Sequence, residues 1–362
     1  MSRKFPKSIK RIVIKIGSSA IADGTFKPNK RWLRSLVTQI KEIRRQKIQV
    51  ILVSSGAIVL GMGEMNLRVA KRDLSTLQAL AAIGQTILMK TYSELFKKVN
   101  IKCAQLLLTW DDFDNRRRNN NARRALNAIL EKGVVPIINE NDTVSTEEIE
   151  FGDNDKLSAF VASFIHADLL LMLTDVEGLY DFTDGKKKLF KEVKEITRDI
   201  EGIASGPSKG KISKGGMSAK LEAIKIAVPA KIPCIIANRR TKNVLTRILK
   251  GEPLGTYFVE KENKILARKH WIAFQAKPKG ALVVDEGARK ALLEGGRSLL
   301  LPGIVVGEGH FKKGDVVIVR DKNHHEIARG MINYSSQQLT QIEDKKGKLE
   351  AIHRNDLVLC ER

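Results

Sequence analysis

The sequence predicts an α/β protein in which a parallel-rich central sheet is sandwiched by helices and followed by a small, β-rich, barrel-like C-terminal domain. Three observations lead there. The chain has 362 residues, more than one hydrophobic core usually organises. Up to about residue 260, short apolar runs alternate with longer segments of helical period, as in strands covered on both faces. Beyond Lys261 the apolar runs become short and are punctuated by Gly and Asn. The expected boundaries are a first domain over 1–260, a connection over 261–278 and a second domain over 279–362.

The elements follow in order. Arg11-Ile-Val-Ile-Lys-Ile16 reads as a buried strand, residues 29–46 as a helix and Val50-Ile-Leu-Val53 as the next strand. Helical period returns over 73–98 and 120–131, separated by a strand at 102–109, and Val134-Val-Pro-Ile-Ile138 closes this half. After an acidic stretch come a helix over 156–166, the strand 168–174, a helix over 216–228, a strand at Cys234-Ile-Ile-Ala237 and a helix over 243–250. This repeating order implies a parallel sheet. In the last part, 281–284, 303–306, 315–319 and 326–328 are the strand candidates.

Composition narrows the function. Apolar residues make up 43% of the chain, ordinary for a globular protein. The first ten residues are charged and lack a secretory apolar run, and no later segment reads as a membrane span, so a cytoplasmic protein is expected. Cys103, Cys234 and Cys360 lie far apart without metal-ligand spacing and read as reduced thiols. The formal charge of +23 raises a nucleic-acid reading, although small phosphorylated ligands attract the same charge.

Several strand ends carry chemistry. Lys15-Ile-Gly-Ser-Ser-Ala20 offers one charge and several backbone N–H groups to a phosphate, with an ordinary turn as the alternative. Val53-Ser-Ser-Gly-Ala-Ile58 repeats the arrangement at the edge where ligands of open α/β sheets gather. Lys211-Ile-Ser-Lys-Gly-Gly-Met-Ser-Ala-Lys220 places paired glycines before a helix and Lys220 one turn into it. Asp175 ends an apolar strand at the same edge. The stretch 138–159 gathers Glu140, Asp142, Asp153 and Asp155, open to reading as a metal site, a cation pocket or a solvated hairpin. The Arg-rich run 115–121 reads as a solvated helix start, and His166, without a ligand-spaced partner, as structural. No GxxxxGK[ST] motif occurs. Three phosphate-suitable loops beside an acidic pocket point to a phosphotransferase whose substrate carries a positive group.

Lys15-Ile-Gly-Ser-Ser, Ser54-Ser-Gly-Ala, Gln78-Ala-Leu-Ala-Ala-Ile-Gly-Gln85, Ile138-Asn-Glu-Asn-Asp142, Gly152-Asp-Asn-Asp-Lys-Leu-Ser158, Leu173-Thr-Asp-Val-Glu-Gly-Leu-Tyr180 and Gly215-Gly-Met-Ser-Ala-Lys220 together resemble the glutamate 5-kinase family. Val283-Val-Asp-Glu-Gly-Ala288, Ser298-Leu-Leu-Leu-Pro-Gly-Ile304, Phe311-Lys-Lys-Gly-Asp315 and Ile327-Ala-Arg-Gly330 are similar to the PUA module many of its members carry. The resemblance implies the amino-acid kinase fold and formation of γ-glutamyl phosphate from glutamate and ATP, opening proline synthesis. Single motifs also fit aspartate, acetylglutamate and UMP kinases, and the PUA-like tail with the high charge leaves RNA binding as the competing class.

The resemblance assigns roles residue by residue. Lys15 and Lys220 approach the transferring phosphoryl group and Asp155 holds them; N–H groups around Gly17 and Gly56 assist. Ser55, Asp142 and Asn154 correspond to glutamate-binding positions, with Asp153 a looser addition, while Glu147, Glu148 and Glu150 are assigned to an exposed hairpin. The nucleotide is expected against Lys15, Gly17, Thr174, Asp175, Lys214, Gly215, Gly216, Met217, Ser218, Ala219 and Lys220. Mg²⁺ would arrive with ATP, so no dedicated metal ligands are assigned. Ser213-Lys214 departs from the Gly-Thr common among relatives, and Pro207-Ser-Lys-Gly-Lys-Ile212 makes that loop unusually basic. The family further implies proline as feedback inhibitor, a dimer or tetramer, and γ-glutamyl phosphate reductase as a possible partner.

Overall fold

The computed structural model describes residues 3, 5, 8–67, 73–144, 154–181, 187–205, 216–261, 267–341 and 349–360. The chain forms two compact units, Met1–Asp112 with Arg117–Lys264 and Phe113–Arg116 with Ile265–Arg362. Among the described residues no helix is long and apolar enough to cross a membrane.

In the first unit, β1 (Arg11–Ile16) is followed by the short α1 (Ser18–Ile21), α2 (Lys30–Arg45) and β2 (Gln49–Ser54). The paired helices α3 (Ala57–Glu64) and α4 (Leu74–Lys97) lead to β3 (Cys103–Leu108), α5 (Trp110–Asp114), α6 (Arg116–Glu131) and β4 (Val135–Glu140), the end of α5 and the first residue of α6 being assigned to the second unit. The second half runs through α7 (Asn154–Phe164), β5 (Leu169–Thr174), the short strands β6 (Tyr180–Asp181), β7 (Lys188–Leu189) and β8 (Glu192–Val193), and α8 (Arg198–Ser205). It closes with α9 (Met217–Ala227), β9 (Cys234–Asn238), α10 (Val244–Leu249) and β10 (Thr256–Phe258).

Eight strands form one sheet in the order β3-β4-β2-β1-β5-β9-β10-β8. The strands from β3 to β9 are mutually parallel, but β10 runs antiparallel to β9, so the sheet is parallel-rich rather than wholly parallel. Three residues are too few to display a period, which is why β10 escaped the sequence reading. The chain leaves β1 toward β2 on one side and returns to β5 on the other, which makes β1 the topological switch point. Crevices at the carboxyl ends of such strands receive ligands.

Alternation along β1 sorts its side chains between the two layers. Ile12, Ile14 and Ile16 are buried with Leu33, Leu36 and Ile40 of α2, Tyr92 and Phe96 of α4, and Leu245 of α10. Lys15 falls on the opposite face, where α7 packs over β1 and β5 and against α9. Side-chain caps start two of the long helices: Asn29 Oδ1 accepts from Trp32 N at 3.2 Å and Asp73 Oδ1 from Thr76 N at 2.7 Å.

The glycine of the 78–85 motif has a packing role. A Cβ on Gly84 would lie 1.8 Å from the Ala57 carbonyl oxygen, and one on Gly61 would lie 2.0 Å from that of Leu80. The α3 and α4 backbones therefore touch directly, and any side chain at these points would force them apart.

The second unit contains α11 (Ala267–His270), a π-helical turn at Trp271–Gln275, β11 (Gly280–Val284), α12 (Glu286–Leu293), β12 (Leu299–Leu300) and β13 (Ile304–Gly309). It continues with β14 (Val316–Arg320), β15 (Glu326–Met331), α13 (Ser336–Gln341), β16 (Glu350–Ile352) and β17 (Leu357–Leu359). A five-stranded sheet, β13-β11-β14-β15-β17, and a β12–β16 pair surround a core that includes Leu282, Val317, Val319 and Ile352. The helix α12 was not among the sequence expectations. Asp285 caps it, its Oδ1 accepting from Ala288 N at 2.7 Å.

Replacing Gly84 by Ala should destabilise the first unit by about 1–3 kcal/mol through overpacking. Urea unfolding would show a lower midpoint at similar slope; an unchanged midpoint would contradict the α3–α4 contact.

Candidate functional site

Among the described residues six parallel strands end at the same edge of the sheet, at Ile16, Ser54, Leu108, Glu140, Thr174 and Asn238. Nearly every described candidate residue lies in the turns just beyond them or in the first turn of a following helix.

At the centre, Asp155 is fully buried in the first turn of α7. Its Oδ1 pairs with Lys15 Nζ of β1, and its Oδ2 accepts from Lys220 Nζ of α9 at 2.9 Å. Both lysine side chains are only 8% exposed. Burial by itself would push the Asp155 carboxyl up, but the two ammonium groups and their hydrogen bonds outweigh it and hold it below the usual carboxylate range. Within this cluster of three described side chains two cations face one anion, in a place nearly closed to water. A cation is costly to bury alone, and an approaching anion would offset the cost.

Flanking backbone also suits an anion. The first-turn N–H groups of α9, from Met217, Ser218 and Ala219, have no carbonyl four residues back within the helix. Gly216 stands at the cap and Lys220 follows one turn in. Among the described residues no atom other than those of its chain neighbours lies within 4 Å of where a Cβ on Gly17 would be, which leaves the main chain open to a ligand there. Gly56 adopts φ +107°, a left-handed conformation that favours glycine, and as the N-cap lets α3 start at Ala57, two residues after Ser55.

On the other side of the cluster, Ser55 N donates to Ile16 O at 3.0 Å, tying the turns after β1 and β2 together. Asn154 Nδ2 donates to Ser55 Oγ at 3.0 Å and to Asn139 Oδ1 at 2.8 Å. Asp142 is half-buried in the turn directly after β4.

Thr174 ends β5, and its carbonyl accepts from Arg239 N at 2.8 Å. Asp175 accepts from Ser19 Oγ at 2.6 Å and pairs with Arg239 at 2.7 Å and Arg240 at 3.4 Å. Burial raises its pKa, whereas the Ser19 hydroxyl and the arginines lower it, and the balance falls below the usual carboxylate range. Asp175 thus joins the turns after β1, β5 and β9.

The structure brings Lys15, Asp155 and Lys220 together, and separately Ser55 with Asn154. Lys214, Gly215, Asp153, Glu147, Glu148, Glu150 and the basic segment 207–213 lie outside the described residues. His166, in left-handed backbone beyond α7, lies before β5 and hence at the opposite sheet edge. Among the described residues no three His, Cys, Asp or Glu side chains come together as a metal cage. Asp155 already has one oxygen on each lysine.

Sequence reasoning missed Ser19, Arg239, Arg240, Asn139 and Gln85. Arg239 and Arg240 follow a strand end as the other candidates do, a signal that was legible. Asn139 and Gln85 sit inside motifs singled out above, but nothing local reveals whom they bond.

The amino acid kinase family profile matches residues 10–238, and the PUA domain profile matches 280–355. A glutamate 5-kinase from Caldanaerobacter subterraneus subsp. tengcongensis is 45% identical, covering 97% of this chain and 98% of the relative. One from Citrifermentans bemidjiense is 43% identical, covering 99% of this chain and 100% of the relative. Among solved structures, the carbamate kinase from Giardia lamblia bound to AMP-PNP superposes with a TM-score of 0.50 at 17% identity, covering 70% of this chain and 99% of that one. At that identity the likeness concerns the fold alone.

Replacing Asp155 by Asn should cost about 3–5 kcal/mol at neutral pH, because two buried lysines lose their counter-charge. The depressed pKa means that the ionised carboxylate stabilises the fold above its unfolded value of about 3.9, and that this contribution disappears as pH falls through the lower folded value. Denaturation of both proteins across that range should show the difference narrowing with acid. A pH-independent gap would contradict an ionised Asp155.

Proposed function

The chain belongs to the glutamate 5-kinase family of amino acid kinases, and we propose that the Lys15–Asp155–Lys220 cluster carries out its phosphoryl transfer. The reaction is ATP-dependent phosphorylation of the γ-carboxylate of L-glutamate to L-glutamyl 5-phosphate, the first step of proline biosynthesis. The similarity to glutamate 5-kinases over nearly the whole chain favours this over the aspartate, acetylglutamate or UMP kinase alternatives and over RNA binding as the main function.

The nucleophile needs no base, since a side-chain carboxylate is ionised at neutral pH. A γ-carboxylate oxygen forms a bond to the γ-phosphorus of ATP, the bond from that phosphorus to the β,γ-bridging oxygen breaks, and ADP leaves with the electron pair. The difficulty is repulsion between two anions. Charge neutralisation and in-line positioning therefore dominate. The observation that supports the reading most strongly is the buried cluster in which two cations face one anion. Lys15 and Lys220 would stabilise charge on the transferring group, and Asp155 keeps both ammonium groups aimed at one place.

In this reading the nucleotide lies along Lys15, Gly17, Thr174, Asp175 and the segment 214–220, with the α9 N–H groups on its phosphates. Glutamate lies against Ser55, Asp142 and Asn154, where a carboxylate suits the α-ammonium. Magnesium belongs to the proposal as a companion of the ATP phosphates. Cytoplasmic location, feedback by proline, assembly into dimers or tetramers, and transfer of the labile acyl phosphate to γ-glutamyl phosphate reductase are parts of the same proposal, motivated by family membership.

A glutamate-dependent ADP-release assay, run in parallel with aspartate, acetylglutamate and UMP, tests the assignment; turnover with glutamate alone is expected, and preference for another acceptor would overturn it. Lys15→Ala and Lys220→Ala should each lower kcat by about 10²–10³ with the fold retained by circular dichroism. Near-normal turnover would remove the lysines from the mechanism. Asp142→Ala should raise the glutamate KM by about 10–100-fold, through loss of a charge-assisted hydrogen bond, and leave the ATP KM alone.

A further inference from the structure

Behind the proposed amino-acid pocket runs a chain of side-chain amides. Asn154 Nδ2 donates both its protons, to Ser55 Oγ at 3.0 Å and to Asn139 Oδ1 at 2.8 Å. Asn139 Nδ2 donates to Gln85 Oε1 at 3.0 Å, and Gln85 Nε2 to Gln105 Oε1 at 3.2 Å. Asn154 and Asn139 are buried, Gln85 is half-buried on α4, and Gln105 is exposed on the edge strand β3.

Polarity along such a chain is one-directional. A primary amide has two N–H donors on one side and a carbonyl oxygen on the other. With both donors spent, the atom that Asn154 has left is Oδ1, and this oxygen is buried with no hydrogen-bond partner among the described residues. Turning the amide over would set Oδ1 against Asn139 Oδ1, acceptor against acceptor. Asn139 is held in the same way by Gln85 Oε1, so that Asn154 can reverse only if Asn139 and Gln85 reverse with it. A buried acceptor left unmet costs free energy, so a donor is expected to arrive with a ligand. At neutral pH the donor on free glutamate is its α-ammonium, since both carboxylates only accept.

We propose that Gln85 is a positioning residue for the amino-acid substrate: through Asn139 it fixes the orientation of the Asn154 amide, so that Asn154 Oδ1 accepts from the substrate's ammonium. The proposal rests on the reading that glutamate lies against Ser55 and Asn154. The packing supports it, because Gly84, the residue before Gln85, is pressed against the Ala57 carbonyl of the helix that starts two residues after Ser55. One contact between α3 and α4 thereby sets Ser55 and Gln85 relative to each other.

The test uses the full-length enzyme with Gln85→Leu, Gln85→Glu and Asn154→Ala. Glu keeps an acceptor for Asn139 Nδ2, and the exposed Gln105 can turn its amide to donate to it; Leu has no acceptor. Gln85→Leu should raise the glutamate KM about tenfold, leave kcat and the ATP KM within about twofold, and be restored by Gln85→Glu to within about threefold of the parent. Competitive inhibition by glutarate, which lacks the ammonium, should be unaffected by Gln85→Leu. An unchanged glutamate KM in Gln85→Leu, with a raised one in Asn154→Ala, would overturn the relay and leave the pocket assignment standing. An unchanged KM in Asn154→Ala would overturn the pocket assignment and the relay with it. Equal losses for glutamate, glutarate and ATP, not restored by Glu and accompanied by a lower Tm, would identify Gln85 as a packing residue and reject the proposal.

Discussion

The candidate site is organised by a carboxylate that water does not reach. Asp155 stays ionised because Lys15 and Lys220 each take one of its oxygens, and it does so where β1, α7 and α9 converge. Each group would be expensive to bury alone, so the three elements are held to a common point by the need to keep the charges paired. The first turn of α7 is also a favourable place for a negative charge, since the helix dipole is positive there. Within the cluster two cations face one anion, and that excess supports the proposal that an anion is transferred there.

Around this cluster the fold supplies a division of labour. Strands on one side of β1 carry Asn139 and end in the Ser55 and Asp142 turns, and strands on the other end in the Thr174–Asp175 and Arg239–Arg240 turns. The proposed acceptor and nucleotide sites thus lie on the two sides of the switch strand, with Lys15 between them. Asp175, bonded to Ser19 and to both arginines, ties the nucleotide side together, while the amide chain from Asn154 to Gln105 does so for the acceptor side. The acidic stretch that stands out in a chain of +23 therefore separates by function: Asp155 faces inward to the lysines, whereas Asp142 occupies a turn at the sheet edge.

Much of this was legible residue by residue. The apolar run of β1, the period of α2 and α4 and the small-residue turns after β1 and β2 announce themselves, because burial and hydrogen-bond period are local properties. Lys15, Asp155 and Lys220 could each be singled out from its position at an element end and from the family resemblance. The three-residue β10, its antiparallel course and the helix α12 could not be read, the first for lack of length and the last because its neighbours suggested strands.

By itself the sequence determined which residues are chemically equipped and which elements carry them. Tertiary structure decided which of them meet. Lys220 and Asp155 are 65 residues apart, Asn139 and Gln85 are 54 apart, and Trp32 Nε1 reaches the Arg239 carbonyl across 207. Periodicity says which face a side chain occupies, but the identity of its partner depends on strand order and on how closely two backbones approach, as at Gly84. Those are distances in space, and they are set by packing the whole unit at once.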